Sequence, residues 1–351
     1  MIQETINLIV LLGLGYIAAI VSMKLKVPAG RLIGPILLIA FLKILGLNIY
    51  APSFLVMLCS IILGVFIGLK FNKESFNQLK SVIKPGIVLM FWFVFITFAY
   101  GWLLLQTSFL DRGTAFLSVV PGGIAEVSVL ALSYNANISQ IVSFQLARLL
   151  AIVLIVPLIV KRVFVYHGEH YCEKTAEKEK TGDLPAKKNN YWMFLVVGTV
   201  GSIVFTLINF PAGRLVGALL FIAAYNLSPF LGDNVSPPPV SYYNYAQIGM
   251  GSIIGTNFTR ESFLSIPDLI FPILLMTFLI LFSSLVLSWI FGKVFKWDFL
   301  TCFLGIIPGG LAPMVLIADQ VNADVIVVSS LQLLRLLTAI LVIPVVYSFF
   351  L

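Results

Sequence analysis

The sequence predicts an all-α polytopic membrane protein made of two inverted-topology repeats, each of about five spans plus a broken or re-entrant helix. Three observations carry that expectation. First, 60 % of the 351 residues are hydrophobic and 11 % are charged, with a mean hydropathy of +1.05. A soluble chain of this length exposes far more charge, so the solvent is lipid. Second, Pro121-Gly122-Gly123-Ile124-Ala125-Glu126 returns as Pro308-Gly309-Gly310-Leu311-Ala312-Pro313, with a numbering difference of 187 (121 to 308). Third, the basic loops favour opposite orientations for the two halves.

Apolar segments are expected near residues 6–22, 31–47, 53–69, 85–107, 112–134 and 138–160 in the first copy. The second copy gives 191–209, 213–228, 241–257, 267–291, 299–320 and 325–350. Their runs of Leu, Ile, Val and Phe lack the short alternating pattern of a bilayer-spanning barrel, so they are read as helices. The first run has no basic stretch before it and is followed by Lys24 and Lys26. That reads as a retained span with its N-terminus outside, not a cleaved signal peptide. Segment 31–47, with Pro35 and Lys43, is short for a full crossing.

The 187 offset also places Asn135 on Asn322, Gln145 on Gln332, Arg148 on Arg335, Gly64 on Gly251 and Gly68 on Gly255. Pro28-Ala29-Gly30-Arg31-Leu32 matches Pro211-Ala212-Gly213-Arg214-Leu215 at an offset of 183 (28 to 211). The organisation is therefore repeat 1 over residues 1–160, a charged cytoplasmic linker over 161–190, and repeat 2 over 191–351. The linker mixes Lys161, Arg162, Lys174 and further lysines with Glu169, Glu173 and Glu177, as a solvated segment does. It also holds His167, His170 and Cys172; His-x-x-His can bind a metal, but two ligands on a loop are thin grounds for one. No metal and no cofactor are expected. Three scattered cysteines make no disulfide framework. The net charge of +7 reflects lysines and arginines flanking helices, and no nucleic-acid surface is visible.

Parity links the breaks to orientation. With the N-terminus outside, Lys24, Lys26, Arg31, Lys70, Lys73, Lys80 and Lys84 are cytoplasmic. If the Pro-Gly-Gly segment dips in and returns, five crossings per copy keep Lys161 and Arg162 inside. The matching loops of the second copy then face outward, and they are poorer in charge: Arg214 alone, then Arg260 beside Glu261 and Asp268. Six crossings would strand Lys161, Arg162, Lys293 and Lys296 outside, so the basic-loop rule favours inversion.

Two glycines after a proline interrupt a helix. Interrupted backbone at membrane depth survives only where protein or a water-filled cavity satisfies it. Pro121, Gly122, Gly123, Pro308, Gly309 and Gly310 are therefore candidate substrate-binding positions, the alternative being a packing kink. Gln145 and Arg148 share one face of an apolar helix, as do Gln332 and Arg335, and a charge buried mid-span is paired or cavity-facing. These four either bind an anionic substrate or hold the core together through carboxylates or carbonyls, with Glu126, Asp319 and Asp324 as candidate acidic partners. The copies differ at Glu126 against Pro313, Asn137 against Asp324, and Leu132 against Asp319. Glu126, Asp319, Asp324 and Asn137 are the ion-coupling candidates, with helix capping as the alternative. Arg31 and Arg214 read as snorkelling residues, and Trp192, Trp289 and Trp297 as interface anchors.

Two copies of Pro-Gly-Gly-(Ile/Leu)-Ala, then Asn-Ala-(Asn/Asp), Gln-x-x-Arg-Leu-Leu and a later proline resemble the duplicated AbrB-type membrane protein family. Members of that family also carry an ammonia monooxygenase label. The resemblance covers nearly the whole chain outside the linker. It implies the cation/proton-antiporter and anion-transporter group, with inverted repeats and crossed broken helices, in a bacterial plasma or inner membrane. Glu126 matches the family's glutamate after Pro-Gly-Gly; Pro313 departs from it, and Asn137 stands where an aspartate is usual. The broken helix in that group often crosses fully, which competes with a re-entrant reading.

The expected function is secondary active transport of a small organic solute or anion by alternating access, coupled to H⁺ or Na⁺. Its partners would be that solute or ion and the lipid bilayer, and a homodimer is allowed. The alternatives are a membrane scaffold or regulatory protein without transport, and a membrane-bound monooxygenase. Oxygen activation needs clustered His, Cys or carboxylate ligands. The histidines sit in the polar linker, so no enzyme is expected.

Overall fold

The computed structural model describes residues 2–25, 27, 29–47, 49–71, 82–167, 191–210, 212–228, 237–264 and 266–348, and among them there is no strand. The first copy supplies α1 (Ile2–Lys24), α2 (Gly30–Ile44), α3 (Ser53–Gly68), α4 (Ile83–Thr107), α5 (Arg112–Val119), α6 (Ile124–Ser133) and α7 (Ile138–His167). The second supplies α8 (Trp192–Leu207), α9 (Gly213–Leu227), α10 (Val240–Thr256), α11 (Arg260–Leu264), α12 (Ile266–Phe295), α13 (Phe299–Ile306), α14 (Leu311–Gln320), α15 (Val325–Leu337) and α16 (Ile343–Ser348). A π-helical turn, Thr338–Val342, joins the last two. Among the described residues five helices are long and apolar enough to cross a membrane. The chain is an all-α, duplicated membrane protein. Segments 112–134 and 299–320 are each two short helices with Pro-Gly-Gly between them, as the sequence anticipates.

The linker reading falls largely outside the described residues: α7 runs to His167, and His170 and Cys172 lie beyond. Pro28 and Pro211 are also outside them. The residues that follow each are held alike, with Ala29 at φ 49° and Ala212 at φ 51° immediately before α2 and α9. Left-handed backbone costs a non-glycine residue about 1–2 kcal/mol, so its recurrence marks a junction that the surrounding packing imposes on both copies.

The chain forms two compact units, and neither coincides with a copy. The first gathers Met1–Lys73, Ala125–Val142 and Ala186–Leu269; the second gathers Glu74–Ile124, Ser143–Pro185 and Ile270–Leu351. In the first unit α1 packs on α2 and α8 on α9, while α3 packs on α9 and α10 on α2. The last two contacts are an exchange between copies. A Cβ on Gly64 of α3 would lie 2.5 Å from the Leu215 carbonyl oxygen, and one on Gly68 would lie 2.6 Å from that of Leu219. Gly251 of α10 meets the Leu32 carbonyl in the same way. Glycine lets the backbones come this close, as in small-residue membrane interfaces. Gly64 corresponds to Gly251 and Leu215 to Leu32, so the two contacts are one contact made twice, as a two-fold relation between the copies requires.

The second unit carries most of the length of four of the five long helices among the described residues, α1 belonging to the first. One face of α4 places Leu89, Phe93 and Ile96 in a core with Phe291, Cys302, Ile306 and Leu331. A neighbouring cluster joins Ile152 and Val156 to Phe303, Ile307, Met314 and Val328. The outward faces are equally apolar: Phe271, Leu274, Phe278 and Phe282 on α12, and Phe91, Phe95 and Trp102 on α4, are more than half exposed. An exterior of this kind suits lipid, where burying it against water gains nothing. Trp192 and Trp289 are exposed as anchors would be, and Lys293 Nζ lies 3.6 Å from the Trp289 ring centroid.

Candidate functional site

Each break is built from an eight-residue half-helix and the helix that follows it in the chain. Asp111 caps α5 by accepting from the Thr114 amide at 3.0 Å. Asp298 caps α13 by accepting from the Thr301 amide at 2.7 Å. These caps are repeat counterparts. Sequence reasoning passed over them, although Asp-x-x-Thr at the 187 offset was there to be read.

At the C-terminal end of α5 the carbonyls have no partner within the half-helix. Arg148, buried in α7, supplies one: its guanidinium donates to the Val120 carbonyl at 2.8 Å, the Gly122 carbonyl at 2.8 Å and Gln145 Oε1 at 2.7 Å. Gln145 Nε2 faces the Leu117 and Val120 carbonyls at 3.5 Å each. A cation at a helix C-terminus is also favoured by the dipole. The second copy repeats the plan. Gln332 Nε2 donates to the Leu304 carbonyl at 2.7 Å and the Ile307 carbonyl at 2.9 Å. Arg335 donates to the Ile307 carbonyl at 3.2 Å. Gln332 Oε1 is buried and accepts no hydrogen bond among the described residues. Gly310 takes φ +90° to turn the chain into α14, which neither Gly122 nor Gly123 does.

The second unit thus brings together Pro121, Gly122, Gly123, Gln145, Arg148, Pro308, Gly309, Gly310, Gln332 and Arg335. Arg148 and Arg335 are close enough for each charge to act on the other. Among the described residues no carboxylate pairs with Arg148; backbone carbonyls and an amide oxygen take that place.

The coupling candidates separate. Asp324 caps α15, accepting from the Ile326 and Val327 amides at 2.9 and 3.1 Å. Asn137 Oδ1 accepts from Ser139 Oγ at 2.6 Å and the Gln140 amide at 3.3 Å at the start of α7. Asn135 and Asn322 hold φ 51° and 52° one turn earlier, closing α6 and α14. Asp319 belongs to α14, and its side chain lies outside the described residues. Glu126 sits in the first turn of α6, half-buried and in the first unit, where its charge acts on Tyr243. Tyr243 shares a hydrogen bond with Gln247, and its ring centroid lies 5.3 Å from that of Phe66 with the planes tilted by 38°. Among the described residues Glu126 itself makes no hydrogen bond.

A family model described as "Transition state regulatory protein AbrB" matches the chain twice, over residues 1–164 and 163–351. The chain belongs to that family. The double match places an AbrB unit on each copy of the duplication. The chain is 24 % identical over 340 residues to an Escherichia coli (strain K12) protein named "Putative regulator AbrB", covering 97 % of this chain and 93 % of that protein. It is 22 % identical over 293 residues to Bacillus subtilis (strain 168) "Uncharacterized protein YhjN", covering 82 % of this chain and 76 % of that one. No solved structure matches this chain.

Proposed function

We propose that the chain is a secondary active transporter, not an enzyme, moving a small organic solute or anion across a bacterial plasma membrane by alternating access. Its two copies would lie in inverted orientation, and H⁺ or Na⁺ would drive the cycle. The observation that carries this reading is the pair of matching Pro-Gly-Gly breaks in one compact unit, each with its orphan carbonyls gathered by a Gln-x-x-Arg pair. Backbone interrupted in this way at membrane depth belongs to transport sites built from repeats. Two guanidiniums that act on each other in an apolar surround leave a positive field that an anion would relieve. Asp324 and Asn137 are engaged as caps, and Glu126, half-buried and without a hydrogen bond among the described residues, is the carboxylate we assign to coupling.

Proteoliposomes tested with a panel of small carboxylates should show uptake that follows an imposed pH or Na⁺ gradient. Glu126→Gln should cut that gradient dependence at least tenfold. Gradient-driven uptake at the wild-type rate in Glu126→Gln removes the coupling role. A second reading, a membrane scaffold or regulatory protein, is supported by the name of the Escherichia coli relative and by the commitment of Arg148 to carbonyls. It predicts no flux for any solute.

A further inference from the structure

The first unit holds a cleft of about 460 Å³ where α3, the C-terminal end of α6 and the α8–α9 junction meet. Small-molecule sites run from roughly 300 to 1,000 Å³. We propose that this cleft binds a small anion that also carries a hydroxyl group, at a place separate from the Pro-Gly-Gly breaks. The duplication itself supplies the first argument. Arg214 is the only charged residue lining the cleft among the described residues. Its counterpart Arg31 donates to Asn244 Oδ1 at 2.7 Å. The residue matching Asn244 in the other copy is Met57, which offers no oxygen. Arg214 accordingly makes no hydrogen bond or ion pair among the described residues, and it is only half-exposed. One copy of a duplicated arginine has a partner inside the protein; the other points its five donors at an open cavity. A guanidinium held this way next to apolar surface favours a carboxylate or phosphate, which it can take with two parallel bonds.

The second argument is the hydrogen-bond polarity of the walls. Ser60, Ser133 and Thr206 line the cleft, and each hydroxyl proton is already given to the carbonyl four residues earlier: Val56 at 2.7 Å, Val129 at 3.1 Å and Ser202 at 2.7 Å. What they present to a ligand is oxygen lone pairs, fewer at Ser133, whose Oγ already accepts from the Ala212 amide at 3.1 Å. Asn209, held at φ 53°, adds a side-chain amide with no partner among the described residues. The cleft therefore offers a cation and an amide to an anionic group and acceptors to a donor on the same molecule. A phosphate or carboxylate bearing a hydroxyl satisfies both. A soluble hydroxylated anion and the headgroup of phosphatidylglycerol share that chemistry.

Reconstitution of the full-length chain separates these sources. In phosphatidylcholine nanodiscs at fixed ionic strength, glycerol 3-phosphate should bind and raise the melting temperature, and inorganic phosphate should bind several-fold more weakly. Arg214→Gln should weaken glycerol 3-phosphate about tenfold or more, and Asn209→Ala several-fold. Arg31→Gln should leave it unchanged. If stabilisation instead appears only in phosphatidylglycerol nanodiscs and disappears in Arg214→Gln, the occupant is the lipid headgroup. The exposed Asn209→Ala carries the test if Arg214→Gln does not fold. Absence of binding in every arm, or binding that survives both substitutions, overturns the proposal. Equal affinity for phosphate and glycerol 3-phosphate overturns its hydroxyl half. None of these readouts depends on flux through the breaks.

Discussion

The two breaks carry the same residues and use them differently. At the first, Arg148 takes two carbonyls and also ties down the Gln145 oxygen, while the Gln145 amide stands off at 3.5 Å. At the second, the Gln332 amide closes on two carbonyls at 2.7 and 2.9 Å, and its oxygen accepts nothing among the described residues. Both solutions meet one demand, since a buried carbonyl left without a donor costs about 1–3 kcal/mol. The difference teaches that duplication copies the set of groups and leaves their division of labour free to drift.

Truncation should expose that division most clearly at Arg148. Arg148→Ala strips donors from two buried carbonyls and is expected to cost about 3 kcal/mol, read by chemical denaturation in detergent. Gln145→Ala should cost less, about 2 kcal/mol, because its amide bonds are long and the loss is mainly the charge-assisted bond its oxygen accepts from Arg148. Equal losses would end the distinction. The next contrast crosses the copies: Gln332→Ala should also cost about 2 kcal/mol, but through its two short amide bonds and not through its oxygen. A loss well below that of Gln145→Ala would show that the short bonds at Leu304 and Ile307 do not carry the second break. The smallest effect is a control in which the copies agree. Asp111→Ala and Asp298→Ala each remove one N-cap and should each cost about 1 kcal/mol. Unequal values would show that the half-helices depend on their caps to different degrees.

Much of this was legible in the sequence. The apolar runs and the repeated Pro-Gly-Gly place nearly every helix and both interruptions, because helix propensity and the cost of Gly and Pro act locally. Gln145 and Arg148 were legible as a pair on one face for the same reason. Carbonyls stood beside carboxylates as possible partners, but which carbonyls was not legible. Backbone acceptors have no side-chain signature, so the sequence could name only the acidic candidates Glu126, Asp319 and Asp324. The π-turn at Thr338–Val342 was equally hidden: Pro344 follows it, but its counterpart Pro157 lies inside the unbroken α7. The division of the chain into units that mix the copies was out of reach too, because it depends on which helix of one copy meets which helix of the other.

The exchange of α3 and α10 between copies has a consequence for how the protein is made. When the ribosome has delivered only the first half, the glycine groove of α3 faces a partner, α9, that does not yet exist. Folding of the first unit must wait for the second half; until then α1 and α2 can pack on each other, but α3 lacks its partner. The same dependence means that two separately expressed halves should find each other, because each holds the surface that completes the other.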